Sequence, residues 1–162
     1  MKILLVSLLF ASFLPTALAE PMDCEVNGIT DGNGFTCLTA QRQQIAVRLA
    51  YIDAPERTQP FGYQSLLLLA DLIFRKKVVL TPLSTNDYQQ LVARVTSGDR
   101  DIGQEMVSRG GAWVYHQYNH DPELPRLEQE AKEEKRGLWS QQEGRIVPPW
   151  EWRSPGTGKV IE

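Results

Sequence analysis

Histidine and cysteine are scarce in this 162-residue chain, two of each, and neither type is arranged for chemistry. His116 and His120 stand four apart with no acidic or cysteine partner at metal-ligand spacing. Cys24 and Cys37 lack the paired motif that a zinc site uses. The histidines therefore read as surface residues, and the cysteines as neither ligands nor nucleophiles. Nothing beyond the first residues approaches the roughly 20 apolar residues that a membrane-spanning helix needs, and there are no internal repeats. A basic excess is missing too: 17 Lys and Arg stand against 20 Asp and Glu, a formal net charge of −3. Proteins that grip phosphate backbones usually show a basic face, because counterion release supplies much of their affinity. Arg75, Lys76 and Lys77 form the clearest basic cluster, and a solvated helix end accounts for it.

What the chain does have begins with Lys2, an apolar run from Ile3 to Leu14, and Pro15-Thr16-Ala17-Leu18-Ala19. This is the pattern of a secretory signal peptide cleaved after Ala19. The expected organisation is a signal peptide over 1–19, one domain over 20–153 and a flexible tail over 154–162. The expected destination is periplasmic or secreted, with no membrane attachment after cleavage. An oxidising compartment makes a Cys24–Cys37 disulfide the expected state. If Asp31 and Gly32 form a two-residue turn, Cys37 faces Val26 and lies diagonal to Cys24, so the bridge needs a bulge or a shifted register.

Turn residues from Thr30 to Gly34 sit between strand-like flanks, which predicts a hairpin over Glu25 to Leu38. In the next strand Ile45, Val47 and Leu49 alternate with Ala46, Arg48 and Ala50, so Arg48 faces away from the buried side. Pro55 ends the ladder and leaves Asp53 and Glu56 at the strand's exit. Gly62 to Arg75 reads as a core helix, and Val78 to Leu80 and Leu91 to Val95 as strands joined by a polar connection. Asp101 can cap a helix from Ile102 to Arg109. A last helix has Asp121 as N-cap and Gly137 as its stop, with Glu128 and its charged neighbours as the solvated face. Trp150 and Trp152 are expected to fold back on the domain. This order predicts an α+β domain with a five-stranded OB-type β-barrel.

Five segments carry a family resemblance. They are Val47-Arg48-Leu49-Ala50-Tyr51-Ile52-Asp53-Ala54-Pro55-Glu56, Gln59-Pro60-Phe61-Gly62, Gly111-Ala112-Trp113-Val114-Tyr115, Arg136-Gly137-Leu138-Trp139 and Pro148-Pro149-Trp150-Glu151-Trp152-Arg153. In order and spacing, the chain resembles the staphylococcal nuclease (thermonuclease) family of the exported bacterial type. The resemblance implies an OB-type barrel with three helices and Ca²⁺-dependent hydrolysis of phosphodiester bonds in DNA and RNA. By motif it assigns catalytic roles to Arg48 and Glu56, metal binding to Asp53 and the Ala54 carbonyl, and substrate contact to Tyr88.

Two positions depart from the family pattern. Asn33 stands where a second metal aspartate is written, and Gln90 where a second phosphate-binding arginine is written. Asn33 keeps a carbonyl oxygen for Ca²⁺ but brings no charge, and ligand charge tunes calcium affinity over orders of magnitude. Gln90 offers one neutral hydrogen bond in place of a charged fork. Losing one such stabiliser costs about 100- to 1,000-fold in rate. Asp87 adds a repelling charge beside the loss. Arg94 is a weak candidate to replace the missing arginine, and Arg48 and Glu56 could equally persist as a structural ion pair. Tyr88 could cover the barrel edge instead of touching substrate. The leading expectation is a monomeric nuclease with weak or lost activity. The alternatives are a non-catalytic OB-type module that binds nucleic acid, glycan or a protein partner, and an active site rebuilt with a residue from elsewhere in the chain.

Overall fold

The structure is a computed structural model that describes residues 20–142 and 144–154. The expected signal peptide, and residues 155–162 of the expected tail, lie outside the described residues. Strands β1 (Met22–Ile29), β2 (Gly34–Thr39) and β3 (Gln44–Leu49) form a meander that leads into the short β4 (Ile52–Asp53). Helix α1 (Gly62–Ile73) follows, then β5 (Lys77–Thr85), β6 (Leu91–Ser97) and β7 (Arg100–Asp101). Helix α2 (Ile102–Ser108), strand β8 (Trp113–Val114), helix α3 (Glu123–Glu133), a 3-10 turn (Gly137–Ser140) and the short helix α4 (Pro149–Trp152) complete the order.

Five strands close into the expected barrel in the order β3-β2-β1-β5-β6, and β3 pairs in parallel with β6 to seal it. That last pairing sets Arg48 opposite Val92 and Leu49 opposite Ala93. The alternation read from sequence holds here: Val47 and Leu49 are buried while Arg48 between them is not. Helix α1 buries Leu69, Leu72 and Ile73 against the barrel. Each contributes about 1.5–3 kcal/mol of hydrophobic burial. The helix stops at Ile73, short of the expected Arg75, and Lys76 explains how: its ammonium donates to the carbonyls of Asp71 (2.7 Å) and Leu72 (2.9 Å). The basic cluster is thus the helix end it was expected to be.

The first hairpin corrects the turn. Thr30 N–H donates to Gly34 O at 2.9 Å, so three residues, Asp31, Gly32 and Asn33, form the loop rather than two. The extra residue shifts the register at Ile29↔Phe35 and Gly28↔Thr36, and a bulge at Asn27 restores Val26↔Cys37. A bulge increases local twist, and the diagonal pair Cys24–Cys37 closes as a disulfide with Cα atoms 5.7 Å apart. Gly32 is required at the loop tip. A Cβ there would lie 1.8 Å from Ser65 Oγ and 2.7 Å from Ala54 Cβ, so only glycine lets the loop rest against α1 and the β4 exit.

Helix α3 corrects a second expectation. Pro122, not the expected Asp121, is its N-cap; Asp121, one residue earlier, accepts from Glu123 N–H at 2.9 Å. Glu128, however, is buried rather than solvated. It accepts from the backbone N–H of Val114 (2.8 Å) and from Lys132 (2.7 Å), with His116 Nε2 3.2 Å away. A carboxylate with these partners bolts α3 to β8, and this is why a charged residue faces inward. Among the described residues no helix is long and apolar enough to cross a membrane.

Candidate active site

The site is built where β3 turns into β4. Tyr51 makes that turn in the left-handed region, at φ 68°, an uncommon conformation for a bulky residue that costs about 1–3 kcal/mol. Its carbonyl is held by Tyr115 N–H at 2.8 Å. The turn brings Arg48, from the end of β3, back over Asp53, at the end of β4. Arg48 Nη2 lies 3.2 Å from Asp53 Oδ1, and Arg48 Nη1 lies 3.5 Å from Asp31 Oδ2 of the hairpin loop. Asp53 is only 3% exposed, and a buried carboxylate of this kind needs charged partners to stay ionised at low cost. Glu56 follows in the loop after Pro55, its N–H fixed by Gln59 Oε1 at 3.0 Å.

Arg48 and Glu56 do not form the ion pair offered as a structural alternative. Glu56 pairs instead with Arg153, whose Nη1 lies 2.6 Å from Glu56 Oε1, while its Nη2 lies 2.5 Å from Asp53 Oδ2. Burial works to lower the Arg153 pKa, but hydrogen bonds and charge from Asp53 and Glu56 outweigh it and hold the value raised, so this guanidinium is a permanent cation. Arg153 was not singled out for a role from sequence. It lies about a hundred positions downstream of its partners, and no local pattern links a C-terminal arginine to a loop that distant.

Asn33 is 1% exposed. Its N–H donates to Asp31 Oδ1 (2.9 Å) and its side-chain Nδ2 to Ile52 O (3.0 Å), which ties the hairpin loop to β4. Its Oδ1 is buried and has no hydrogen-bond partner. Leaving such an acceptor unmet costs about 1–3 kcal/mol, so the orphan marks a place prepared for a donor or a cation. Among the described residues no three His, Cys, Asp or Glu side chains converge as a metal cluster.

The β5–β6 loop borders the groove beside Arg48, with Asn86 in its lining, but its polar side chains bond to one another. Gln90 Oε1 accepts from Asn86 Nδ2 at 2.9 Å, and Asn86 Oδ1 accepts the N–H groups of Tyr88 and Gln90, so these residues knit the loop to itself. Tyr88 is 84% exposed at its tip. Arg94 is spoken for: it pairs with Asp101 (2.9 Å) and Asp121 (3.2 Å), and it does not reach across to Asp53. Beside Arg48 runs a groove of about 530 Å³ lined by Tyr51, Ile52, Leu83, Tyr115, Tyr118 and His120. His120 is exposed, as expected, and packs edge-on to Tyr51 at the groove, with ring centroids 5.9 Å apart. Trp150 stacks on Tyr115 at 5.3 Å with an interplanar angle of 15°, so the C-terminal segment does fold back as expected, while Trp152 stays exposed.

A family model described as staphylococcal nuclease homologue matches residues 46–141. Among similar proteins, an "Uncharacterized endonuclease" of Haemophilus influenzae is 40% identical over 153 residues, covering 94% of this chain and 85% of its own. "Protein ParB" of Escherichia coli is 35% identical over 167 residues, covering 94% and 93%. A "Micrococcal nuclease" of Shigella flexneri is 37% identical over 140 residues, covering 80% and 79%. With a closed five-stranded barrel, and with Arg48, Asp53 and Glu56 set around one exit loop, the chain belongs to the staphylococcal nuclease family.

Proposed function

We propose that the protein hydrolyses phosphodiester bonds of DNA or RNA in the cleft at the end of β4, with a Ca²⁺ requirement, and more slowly than a site with its full complement of charges would. One observation supports this above the others: Arg48, Asp53 and Glu56 meet in one cleft beside an aromatic groove. The donors present suit a hard cation, since Asp53, the Ala54 carbonyl and the orphaned Asn33 Oδ1 are all oxygens. When bound, calcium would offset the charge that builds on the phosphate oxygens.

The chain's own residues divide the remaining work. Arg48 offers fixed positive charge and a planar fork to the non-bridging oxygens. Glu56, at the solvent edge and paired with Arg153, would take a proton from an attacking water. The exposed ring of Tyr118 in the groove suits stacking against a base of an unpaired strand, which favours single-stranded substrates. Asn33 and the uncharged Gln90 account for the reduced rate. We further propose that the protein is exported and works as a monomer; the Cys24–Cys37 disulfide supports an oxidising destination.

The test is hydrolysis of single-stranded DNA and of RNA by residues 20–162, with Ca²⁺ and with chelator. Slow cleavage that needs calcium and falls at least about 100-fold in Glu56→Ala is the expected result. Cleavage that survives both chelator and Glu56→Ala would place the chemistry elsewhere. No cleavage at all, by protein shown to be folded, would leave a binding role as the better reading.

A further inference from the structure

Arg153 sits just past α4, in a segment that is firmly seated. Trp150 stacks on Tyr115 and meets Trp113 edge-on at 5.9 Å. Gln59 donates to Val147 O and at the same time accepts from Glu56 N–H, so the loop that carries Glu56 also anchors the segment that carries Arg153. Two guanidiniums, one from β3 and one from the C-terminal segment, then converge on one oxygen: Asp53 Oδ1 lies 3.2 Å from Arg48 Nη2 and 3.4 Å from Arg153 Nη1.

Charge decides what such a pair can do. Asp31, Asp53 and Glu56 bring three negative charges, and Arg48 and Arg153 bring two positive ones. An approaching phosphodiester meets repulsion unless the guanidiniums can turn donors toward it. Each guanidinium has five N–H donors in a rigid fork, so it can hold a carboxylate with one edge and present another edge to a phosphate oxygen. The Arg153 side chain is 42% exposed, which leaves that second edge accessible. Gln90, by contrast, is neutral and engaged with Asn86.

We propose that Arg153 is a substrate-binding residue: with Arg48 it forms a two-guanidinium clamp on the non-bridging oxygens of a nucleic-acid phosphodiester. The cation that the β5–β6 loop does not provide thus arrives from the C-terminal segment. The clamp rests on the nuclease reading given above. It also accounts for a short helix kept at the domain's end with a stacked tryptophan, since that helix fixes the stem from which Arg153 reaches in.

Binding of a fluorescent phosphorothioate octathymidylate, which is slow to hydrolyse, tests the clamp by anisotropy in calcium-containing buffer. Arg153→Ala should weaken binding about 10- to 100-fold, the range of one charge-assisted contact. Arg153→Lys should recover part of the loss, because it keeps the charge and lacks the fork. Gln90→Arg added to Arg153→Ala should recover most of it, because Gln90 directly precedes Leu91, the β6 partner of Val47 beside Arg48. Melting temperature checks the fold, and Arg153→Gln, which keeps the stem, takes over the test if the alanine variant does not fold. Unchanged or tighter binding by Arg153→Ala overturns the clamp and makes Arg153 a structural counterion or a plug. If wild type binds the oligonucleotide and cleaves the ordinary strand while Arg153→Ala matches it, the clamp alone fails. If wild type neither binds nor cleaves, the nuclease reading fails with it.

Discussion

At the scale of single residues, Asn33 serves two demands that an aspartate would separate. Its Nδ2 bond to Ile52 O holds the hairpin loop on β4, and its Oδ1 waits unpartnered in the interior. An ionised carboxylate would put an oxygen where that donor now meets a carbonyl, trading a hydrogen bond for repulsion. Asn33→Asp should therefore lose about 1–3 kcal/mol of stability in chelator and gain more from added calcium than wild type does, since binding to the folded state alone adds stability by mass action. Thermal melts with and without calcium check both signs. A variant as stable as wild type in chelator would mean the Ile52 bond matters little. The departure at Asn33 was legible in the sequence because it falls inside a short motif. Its bond to Ile52, and the inward turn of Glu128, were not. Glu128 sits among charged neighbours on a helix whose pattern reads as solvated, and only the approach of β8, with a backbone N–H in need of an acceptor, draws it inward.

At the scale of elements, the sequence predicted strands and helices well where their signals are local. The alternation in β3 and the Asp101 cap, which accepts from Gln104 N–H at 3.1 Å, both lie within a few residues of the features they control. The hairpin loop came out one residue longer than the Asp31-Gly32 signal implies, because Asn33 is held by Asp31 and Ile52 and so cannot join the ladder. The bulge at Asn27 absorbs that residue and brings Cys24 within reach of Cys37. The bridge spans 13 positions, and closing a loop of that size contributes about 3 kcal/mol. Cys24→Ala with Cys37→Ala should lower the unfolding free energy by about 2–4 kcal/mol and leave the Val26↔Cys37 register intact, since the barrel's hydrogen bonds do not depend on it. Urea denaturation measures the loss, and a reductant should lower wild type to a similar level while leaving the variant unmoved. A loss below about 1 kcal/mol would show that the neighbouring strands already fix the hairpin.

For the whole molecule, the opposition is between an acidic chain and an anionic polymer. A net charge of −3 gives no long-range attraction, and the site itself holds more carboxylates than guanidiniums. Affinity must then come from short-range contacts at the clamp and from stacking in the groove, both confined to one end of the barrel. Counterion release from single strands lowers log K by about 0.7 per phosphate neutralised for each unit of log salt. With Arg48 and Arg153 as the contacts, the slope for a short thymidine strand should be about −1 to −2. Lengthening the strand beyond what the groove covers should add little, because Arg48 is the one Lys or Arg among the residues that line the groove. Anisotropy titrations between low and physiological salt with short and long strands measure both quantities. A slope steeper than about −4, or affinity that keeps rising with length, would mean that a basic surface elsewhere on the molecule carries the binding, and that the barrel end supplies only chemistry. A shallow slope with length-independent affinity fits a protein that engages one or two nucleotides at a strand end or loop, where bases are already unstacked and free to enter the aromatic groove.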